Sequence, residues 1–328
     1  MQRIFYSLSL LASCLFILSA CQEDDYSIPT AKPGLQNDCI KRTLGPNITG
    51  LDIEFAYAMA ILPDEGNIVS ARVEASIPGA SGTWMENNSY YTNGSGVDVG
   101  ILVGSPSVTS GTKTEVTFTR DTCAATLRYY YHIPEEARGK TVSFTFSAKA
   151  SNGQIVSYDM GPYTVAQMDM KLDLVAKDGE ACYISIADLA VYDAAGAAAH
   201  ADNIDLVYLY RSIAGITFNH ALVSPAADPE YLPDVTLPAG VNNSTRESKA
   251  WSLQDQQLAR LQYGIFIDDI DFQEIDLTNA PDYAINMKQE AGLWVETEDG
   301  KYRGYIYINK VDNTNKAMTL SIKRLQMK

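Results

Sequence analysis

The sequence predicts an all-β protein made of two tandem β-sandwich-like domains, of which the second includes one short helix. Three observations support this prediction. Apolar and polar residues alternate with period two in one short run after another. Asn-Gly and Asp-Gly dipeptides, which favour tight hairpin turns, separate several of these runs. The 328 residues are 46% hydrophobic, which is enough to bury a core in each of two domains.

The first domain is predicted over residues 38–168. Its half-buried strands are predicted around residues 51–59, 69–77, 116–118, 127–131, 142–148 and 155–165. Asn152-Gly153 lies between the last two of them and predicts a hairpin. About seven strands without a helical stretch are typical of an immunoglobulin- or fibronectin-like sandwich.

The second domain is predicted over residues 169–328. Asp178-Gly179 and Asp299-Gly300 predict two further hairpins. The segments that these turns are expected to pair are residues 171–176 with 181–187 and residues 294–298 with 302–309. Residues 317–324 would complete a C-terminal meander. The run Leu206–Tyr210 is apolar on both faces, which predicts a central strand.

One helix is predicted, in the second domain. Ser252 would be its N-cap, with Asp255 three residues later. Leu258 and Leu261 would share its apolar face, and Gly264 would end it.

An acidic run follows the predicted helix. Its members are Asp268, Asp269, Asp271, Glu274 and Asp276. Their spacing matches no calcium-binding loop, and apolar residues interleave with them, so we interpret the run as a strand with a solvated face. The sequence predicts no metal site and no cofactor, since it has neither zinc-type Cys/His spacing nor a glycine-rich phosphate loop. It also has no recognisable nucleophile elbow.

Residues 1–20 have the features of a secretory signal peptide, with Arg3 followed by an apolar run from residue 4 to residue 18. The run ends in Leu18-Ser19-Ala20-Cys21, which resembles the lipobox of bacterial lipoproteins. This resemblance implies that Cys21 is acylated and becomes the first mature residue. A second match ends at Cys14, but it would shorten the apolar region to about seven residues. The alternative is an ordinary signal peptide with a coincidental cysteine.

Residues 21–37 are predicted to form a flexible, lipid-anchored tether, because prolines and a glycine occur there without periodicity. The acidic stretch Gln22–Asp25 resembles the export signal of Bacteroidetes lipoproteins that face the cell exterior, although it can equally be a solvated part of the tether. Acyl chains would anchor the protein to the outer membrane without a transmembrane helix.

The formal net charge of −15 argues against two classes of partner. An acidic protein repels the phosphates of nucleic acids and anionic lipid headgroups, so no nucleic-acid partner is predicted. Cys39, Cys123 and Cys182 remain after Cys21 is assigned to the lipid. We interpret Cys123 and Cys182 as small buried hydrophobic residues, with Cys39–Cys123 as the one disulfide to consider.

The first candidate binding site is the segment 79–96, where Trp84, Tyr90 and Tyr91 stand among Gly, Ser and Asn residues. Aromatic faces can pack on sugar rings, while amides and hydroxyls bind the ring hydroxyl groups. The alternative, which the burial of most large aromatic residues favours, is that Trp84 covers the edge of the sandwich.

The second candidate is the segment 215–248, which contains four prolines and no usable period. Long structureless excursions are uncommon in compact domains and are often functional. Tyr231, Asn242 and Arg246 are its candidate ligand-binding residues. The alternative, and the simpler interpretation, is a proline-stiffened cover over a sheet edge.

Three stretches together resemble a family of Bacteroidetes surface lipoproteins of uncharacterised function: the acidic segment that starts at Cys21, the entry segment Asn37–Arg42 and the run Asp202–Tyr210. The resemblance implies an outer-membrane location and a glycan-utilisation context, beside an outer-membrane transporter complex. No catalytic motif comes with it. We therefore expect a non-catalytic glycan-binding accessory protein that binds a polysaccharide or oligosaccharide. The alternatives are a structural adhesin or fimbria-anchoring lipoprotein and, third, a glycoside hydrolase.

Overall fold

The computed structural model describes residues 32–213 and 215–328. These residues form 21 β-strands and three short α-helices, and strands account for 49% of the structure. The all-β, two-sandwich prediction is confirmed. Within the described residues, no helix is long and apolar enough to cross a membrane. The predicted signal peptide, Cys21 and most of the predicted tether lie outside the described residues.

The first sandwich contains eleven strands. They are β1 (Gln36–Lys41), β2 (Asp52–Ala60), β3 (Ile68–Ala75), β4 (Trp84–Met85), β5 (Asn88–Thr92), β6 (Asp98–Leu102), β7 (Val108–Ser110), β8 (Lys113–Thr117), β9 (Ala124–His132), β10 (Thr141–Ala150) and β11 (Ile155–Thr164). One sheet has the order β1-β2-β9-β4 and the other β11-β10-β3-β8-β7, while β5 and β6 form a separate hairpin. β2 pairs with β9 in one sheet, and β10 pairs with both β3 and β11 in the other, which is the arrangement of immunoglobulin-like sandwiches.

The core of this sandwich is aromatic. Phe55 and Tyr57 of β2 and Phe144 and Phe146 of β10 are almost completely buried between the two sheets. The ring centroids of Phe55 and Phe144 lie 4.8 Å apart. Strand alternation places these side chains inward and the intervening residues outward. The outer face of each sheet is therefore presented on a rigidly packed support.

The second sandwich contains the remaining ten strands and the three helices. They are β12 (Asp169–Lys177), β13 (Tyr183–Ser185), β14 (Ala190–Tyr192), α1 (Ala194–Ala199), β15 (Leu206–Ile213), β16 (Ile216–Val223), β17 (Arg246–Ala250), α2 (Gln256–Ala259), α3 (Asp269–Glu274), β18 (Tyr283–Met287), β19 (Gly292–Glu296), β20 (Tyr302–Asp312) and β21 (Ala317–Gln326). Its sheets have the orders β12-β21-β20-β19-β17 and β14-β13-β15-β16-β18. The central position of β15 and the C-terminal meander β19-β20-β21 are confirmed.

Two of the three predicted hairpins form. Asn152-Gly153 joins β10 to β11, and Asp299-Gly300 joins β19 to β20. The prediction for Asp178-Gly179 is wrong in its pairing, because β12 pairs with β21 whereas β13 pairs with β14 and β15. The turn therefore carries the chain from one sheet to the other. A turn dipeptide determines local chain reversal but does not select the strand partner.

The predicted helix is present but begins later and is shorter than expected. Asp255, not Ser252, is the N-cap of α2, and its side chain accepts a hydrogen bond from the Leu258 N–H at 2.8 Å. Ser252 has a φ of +63°, outside the helical region. The helix ends at Arg260, which is left-handed, so Gly264 does not end it and Leu261 lies beyond its face.

The acidic run is a helix, and its interpretation as a strand is wrong. The Asp268 carboxylate accepts the backbone N–H of Asp271, and the Asp271 carboxylate accepts the backbone N–H of Asp268. This reciprocal capping box starts α3, whose N-terminal partial charge also favours acidic residues. Phe272 is the buried residue of the helix.

The segment 215–248 is not structureless throughout, because β16 occupies its first part. This strand carries His220, a polar residue that is buried with both ring nitrogens in hydrogen-bond distance of a partner. Its Nδ1 lies 2.7 Å from the Tyr208 hydroxyl, and its Nε2 lies 2.7 Å from Asn313 Oδ1. A buried strand tolerates the imidazole because these partners satisfy it.

The three described cysteines are free, so the Cys39–Cys123 disulfide is not formed. Cys182 is buried, as the sequence predicted, and Cys39 is buried as well. The half-buried Cys123 instead directs its thiol toward Asn67, with 3.4 Å between Sγ and Oδ1.

Residues 35–328 form one compact unit, in which the two sandwiches contact each other. Arg138 of the first sandwich forms an ion pair of 2.6 Å with Asp169, which also binds Arg324 of β21 at 3.0 Å. Ile48 packs in one buried cluster with residues of the second sandwich such as Trp294.

Candidate functional site

The outer face of the sheet β1-β2-β9-β4 brings together side chains from distant parts of the sequence. Residues directly opposite each other on paired strands point to the same side of a sheet. The pairs that β2 and β9 place on this face are Ala60 with Ala124, Ala58 with Thr126, Ala56 with Arg128, Glu54 with Tyr130, and Asp52 with His132. One end of the face is therefore built from small side chains and the other from large polar and aromatic ones.

A groove of about 490 Å³ runs over the end that has the small side chains. Ala58, Ala60 and Ala124 lie along its floor. Asp38 of β1 borders it on one side, and Tyr91 of β5 borders it on the other. The groove exists because alanine occupies positions from which a longer side chain would fill it.

The hairpin β5–β6 forms the aromatic wall of the groove. Ser89 attaches β5 to the sheet, since its hydroxyl accepts a hydrogen bond of 3.0 Å from the Thr126 N–H. Tyr91 is 52% exposed at this wall. A partly exposed aromatic ring beside a groove is a surface on which a ligand can stack.

Trp84 stands at the other end of the face. Its ring stacks on Tyr130, with centroids 5.1 Å apart and an angle of 12° between the planes. Although β4 is an edge strand and Trp84 does cover Tyr130, the indole stays 45% exposed. Trp84 therefore covers the sheet edge and also presents an open aromatic surface to solvent.

Glu86 connects Tyr90 of the hairpin with Tyr130 of the sheet. Its carboxylate accepts a hydrogen bond from the hydroxyl of Tyr90 and another, of 2.9 Å, from the hydroxyl of Tyr130. Burial and the bond to Glu86 raise the pKa of Tyr130 to about 12, and the bond to Glu86 raises the pKa of Tyr90 as well. Both phenols therefore remain protonated donors, and the carboxylate fixes their rings.

Arg128 contributes a cation to this face, and it is already paired. Its guanidinium lies 4.0 Å from the ring centroid of Tyr90 and forms an ion pair with Asp98 of β6. Asp98 also accepts a hydrogen bond of 2.9 Å from the Thr92 hydroxyl. These contacts hold the hairpin against the sheet and leave Arg128 without an uncompensated charge.

The structure brings Trp84, Tyr90 and Tyr91 to one face, but it places the other predicted residues elsewhere. Tyr231 stacks on Tyr283 of β18, with centroids 3.6 Å apart. The remaining two are Arg246 of β17, which forms a 3.0 Å ion pair with Glu296, and Asn242, which is exposed. These three residues lie in the second sandwich, Tyr231 and Arg246 against different sheets, and they form no common site with Trp84.

A second cavity of about 510 Å³ lies in the second sandwich and is strongly acidic. The carboxylates that line it are Asp188, Asp202, Asp205, Glu298 and Asp299. Burial raises the pKa of Asp205 to about 7. Its carboxylate accepts the Ile186 N–H at 2.7 Å. In the part of the chain that the structure describes, no three His, Cys, Asp or Glu side chains are arranged to hold a metal ion.

Sequence reasoning missed Glu86, Arg128 and Tyr130, as well as the alanine floor. The available indication was in β2, where three alanines occupy the solvent-facing positions of an otherwise regular strand. Such positions usually carry polar or β-branched side chains. A run of small residues there leaves room above the sheet.

Two family models match adjoining parts of the chain. Residues 32–165 match a domain of unknown function, DUF4466, and residues 166–327 match another, DUF8576. The chain is 48% identical to a DUF4466 family protein from Parabacteroides merdae, a member of the Bacteroidetes, whose crystal structure superposes with a TM-score of 0.85. That alignment covers 90% of this chain and 99% of the other.

More distant similarities concern two pilins. A C-terminal fragment of the major pilin of Streptococcus agalactiae is 12% identical, over 44% of this chain and 59% of the fragment, with a TM-score of 0.28. The major pilin subunit of Bacillus cereus is 8% identical, over 88% of this chain and 63% of the pilin, also with a TM-score of 0.28. Similarity at this level carries no functional argument. Among curated proteins, none matches.

Proposed function

The chain belongs to the DUF4466 family, and we propose that it is a cell-surface lipoprotein that binds glycans without cleaving them, as an accessory of a polysaccharide uptake system. The observation that carries the proposal is the outer face of the first sandwich. There, the exposed rings of Trp84 and Tyr91 stand at the two ends of one surface, with a groove floored by alanine between β1 and β5.

Sugar rings have two kinds of surface, and the face offers a partner for each. Their C–H groups pack on aromatic rings, and their hydroxyl groups hydrogen-bond with carboxylates, amides and hydroxyls. Asp38 and Ser89 line the groove beside Tyr91. A shallow, open surface of this kind favours weak binding, which suits a protein that must release the captured chain to a transporter.

A non-catalytic role is supported by the contacts of the acidic side chain that lies between Tyr90 and Tyr130. Glu86 is largely buried and accepts hydrogen bonds from two phenols. One phenol binds each carboxylate oxygen, so both oxygens are occupied by tyrosines of the protein itself. The acid of a glycoside hydrolase must instead reach the leaving oxygen of the substrate and give it a proton.

The membrane anchor in this proposal is Cys21, in the sequence Leu18-Ser19-Ala20-Cys21. Two or three acyl chains on this cysteine would hold the protein firmly, because each buried methylene contributes about 0.8 kcal/mol. Labelling cells with radioactive palmitate should label the protein, and Cys21→Ala should remove the label. Label that persists in that variant would refute the assignment.

Binding is tested by native affinity electrophoresis of residues 22–328 through gels that contain single polysaccharides, with reducing-end release measured in parallel. We expect retardation by at least one polysaccharide and no release. Trp84→Ala and Tyr91→Ala should each reduce the retardation with little change in melting temperature, since both side chains are exposed. Retardation without any response to either variant would refute this site, and sugar release would favour a hydrolase.

The chain offers matched controls for both substitutions. Trp251 is 55% exposed and Tyr263 is 80% exposed, and both precede α3 in the second sandwich rather than the candidate face. Trp251→Ala and Tyr263→Ala remove the same kind of side chain from the surface. They should leave the retardation unchanged, which distinguishes a specific site from general adhesion through exposed aromatic residues.

A second candidate function is supported by β6. This strand is one end of a two-stranded sheet, and it exposes Ile101 and Leu102 to solvent. An open edge with apolar side chains can accept a strand from another chain, as a fimbrial subunit requires. Sedimentation velocity of the purified chain should then show polymers that Ile101→Lys abolishes. A monomer at all concentrations would eliminate this candidate.

A further inference from the structure

We propose that the groove selects uncharged polysaccharides and discriminates against chains that carry carboxylate or sulfate groups. This inference rests on the proposed glycan-binding function and specifies its substrate class. It follows from the charges around the groove, the composition of its floor and the length of the face.

The charges on and beside the groove are mainly negative. Asp38 is exposed at its border, and Glu86 and Asp98 lie behind its aromatic wall. The described residues that line the groove include no lysine or arginine. Arg128 lies beside the groove, where Asp98 neutralises it and Tyr90 stacks upon it. An anionic sugar would therefore meet like charge without a cation available to compensate for it, and such repulsion acts over several ångströms.

The floor of the groove supplies no charge at all. It is formed by Ala58, Ala60 and Ala124 with the hydroxyl-bearing Thr126 beside them. A protein that binds uronates or sulfates needs arginine or lysine directed at the acidic group, because a desolvated anion requires a charge-assisted partner. A methyl-covered floor instead favours the C–H face of an uncharged sugar ring.

The dimensions of the face indicate a chain and not a single sugar. Thr126 at the groove and Tyr130 under Trp84 are four residues apart on β9, which is roughly 13 Å along a strand. Stacking positions at both ends of this distance can be occupied together by one oligosaccharide. Occupying two weak positions with one ligand raises the overall affinity above that of either position.

The test compares uncharged and anionic polymers in the same affinity gels. The uncharged probes are galactomannan and laminarin, and the anionic probes are polygalacturonate and heparin, all at physiological ionic strength. We expect retardation by at least one uncharged probe and none by either anionic one. The charge reversal Asp38→Lys should strengthen binding of polygalacturonate by on the order of tenfold, whereas Glu274→Lys on the exposed side of α3 should not.

The possible failures are distinguishable. Retardation of the unaltered protein by polygalacturonate or heparin that Tyr91→Ala removes would overturn the selectivity but leave glycan binding in place. Equal gains in polygalacturonate binding from Asp38→Lys and Glu274→Lys would show that the net charge of the protein, and not the groove, determines the selectivity. This result would also overturn the inference. No retardation by any polymer would overturn both this inference and the proposed function.

Discussion

Replacing Lys323 by methionine tests how the second sandwich holds its helical excursion. Lys323 of β21 and Asp255, the N-cap of α2, are both completely buried, and Nζ lies 2.6 Å from Oδ2. The ammonium also donates to the Ile267 carbonyl at 3.1 Å. The Asp255 carboxylate accepts the N–H groups of Leu258 and Ile267, each at 2.8 Å. One ion pair therefore joins the sheet to both ends of the segment 255–267.

The magnitude follows from the charge that the substitution leaves behind. Methionine fills much of the volume of lysine, so the packing loss is small. The carboxylate of Asp255 would remain in the interior without its cation, and removing one partner of a buried pair typically costs about 3–5 kcal/mol. For a domain of the size of the second sandwich, a loss of this magnitude should lower the melting temperature by roughly 6–20 °C.

The assay is urea unfolding at pH 7, followed by circular dichroism, with the double variant Lys323→Met/Asp255→Asn as control. The amide keeps an acceptor for the Leu258 N–H but carries no charge, so the double variant should be more stable than Lys323→Met alone. A loss below about 1 kcal/mol in the single variant, or additive losses in the double variant, would refute the reasoning.

Three further predictions concern buried groups. Among the residues that the structure describes, neither carboxylate oxygen of Glu247 has a hydrogen-bond partner, and burial raises the pKa of this group well above its usual value. The folded state therefore retains a proton that the unfolded chain releases. Stability should fall as pH rises above about 4.5, by up to about 1.4 kcal/mol per pH unit. Glu247→Gln should flatten this pH dependence in melts from pH 4 to 8, and an unchanged slope would contradict it. Burial lowers the pKa of His220, so the stability that the neutral imidazole contributes is complete above about pH 6.5 and is lost as pH falls below that value. His220→Gln should reduce the loss of stability at acidic pH in the same melts. An identical loss in the variant would contradict this prediction. A Cβ on Gly292 would lie 1.9 Å from the Tyr305 hydroxyl oxygen, so Gly292→Ala should lower the free energy of unfolding in urea by about 1–3 kcal/mol. The control Gly94→Ala, at a position with open space around it, should change this free energy little. Equal stabilities of the two variants would exclude the close contact.

Much of the fold follows from local patterns. Alternation in β2 and β10 predicts both strands and the faces that they bury, because a period of two is a property of the strand itself. Pairing is different. Asp178-Gly179 reverses the chain as predicted, but the partner of β12 is β21, which is distant in sequence. Helix capping acts over only a few residues. Two reciprocal hydrogen bonds between Asp268 and Asp271 start a helix here, although the alternating sequence pattern is typical of a strand.

The site was accessible to sequence reasoning only in part. Trp84, Tyr90 and Tyr91 could be proposed because three aromatic residues stand among Gly, Ser and Asn over a short stretch. Their partners Arg128 and Tyr130 belong to β9, and they reach the same face only through its pairing with β2 and β4. The identity of such partners is therefore a consequence of tertiary register, which the local sequence does not contain.

The alanines of β2 connect the folding of this sheet with the proposed function. Alanine is a weak strand former, and at Ala56, Ala58 and Ala60 it adds no cross-strand packing on the outer side. The inward residues Phe55 and Tyr57 supply the burial that keeps the strand in place. The sheet can therefore carry small residues at its outer positions at little cost in stability. In the proposed function a ligand occupies the space above these alanines, and the core beneath them does not depend on what fills that space.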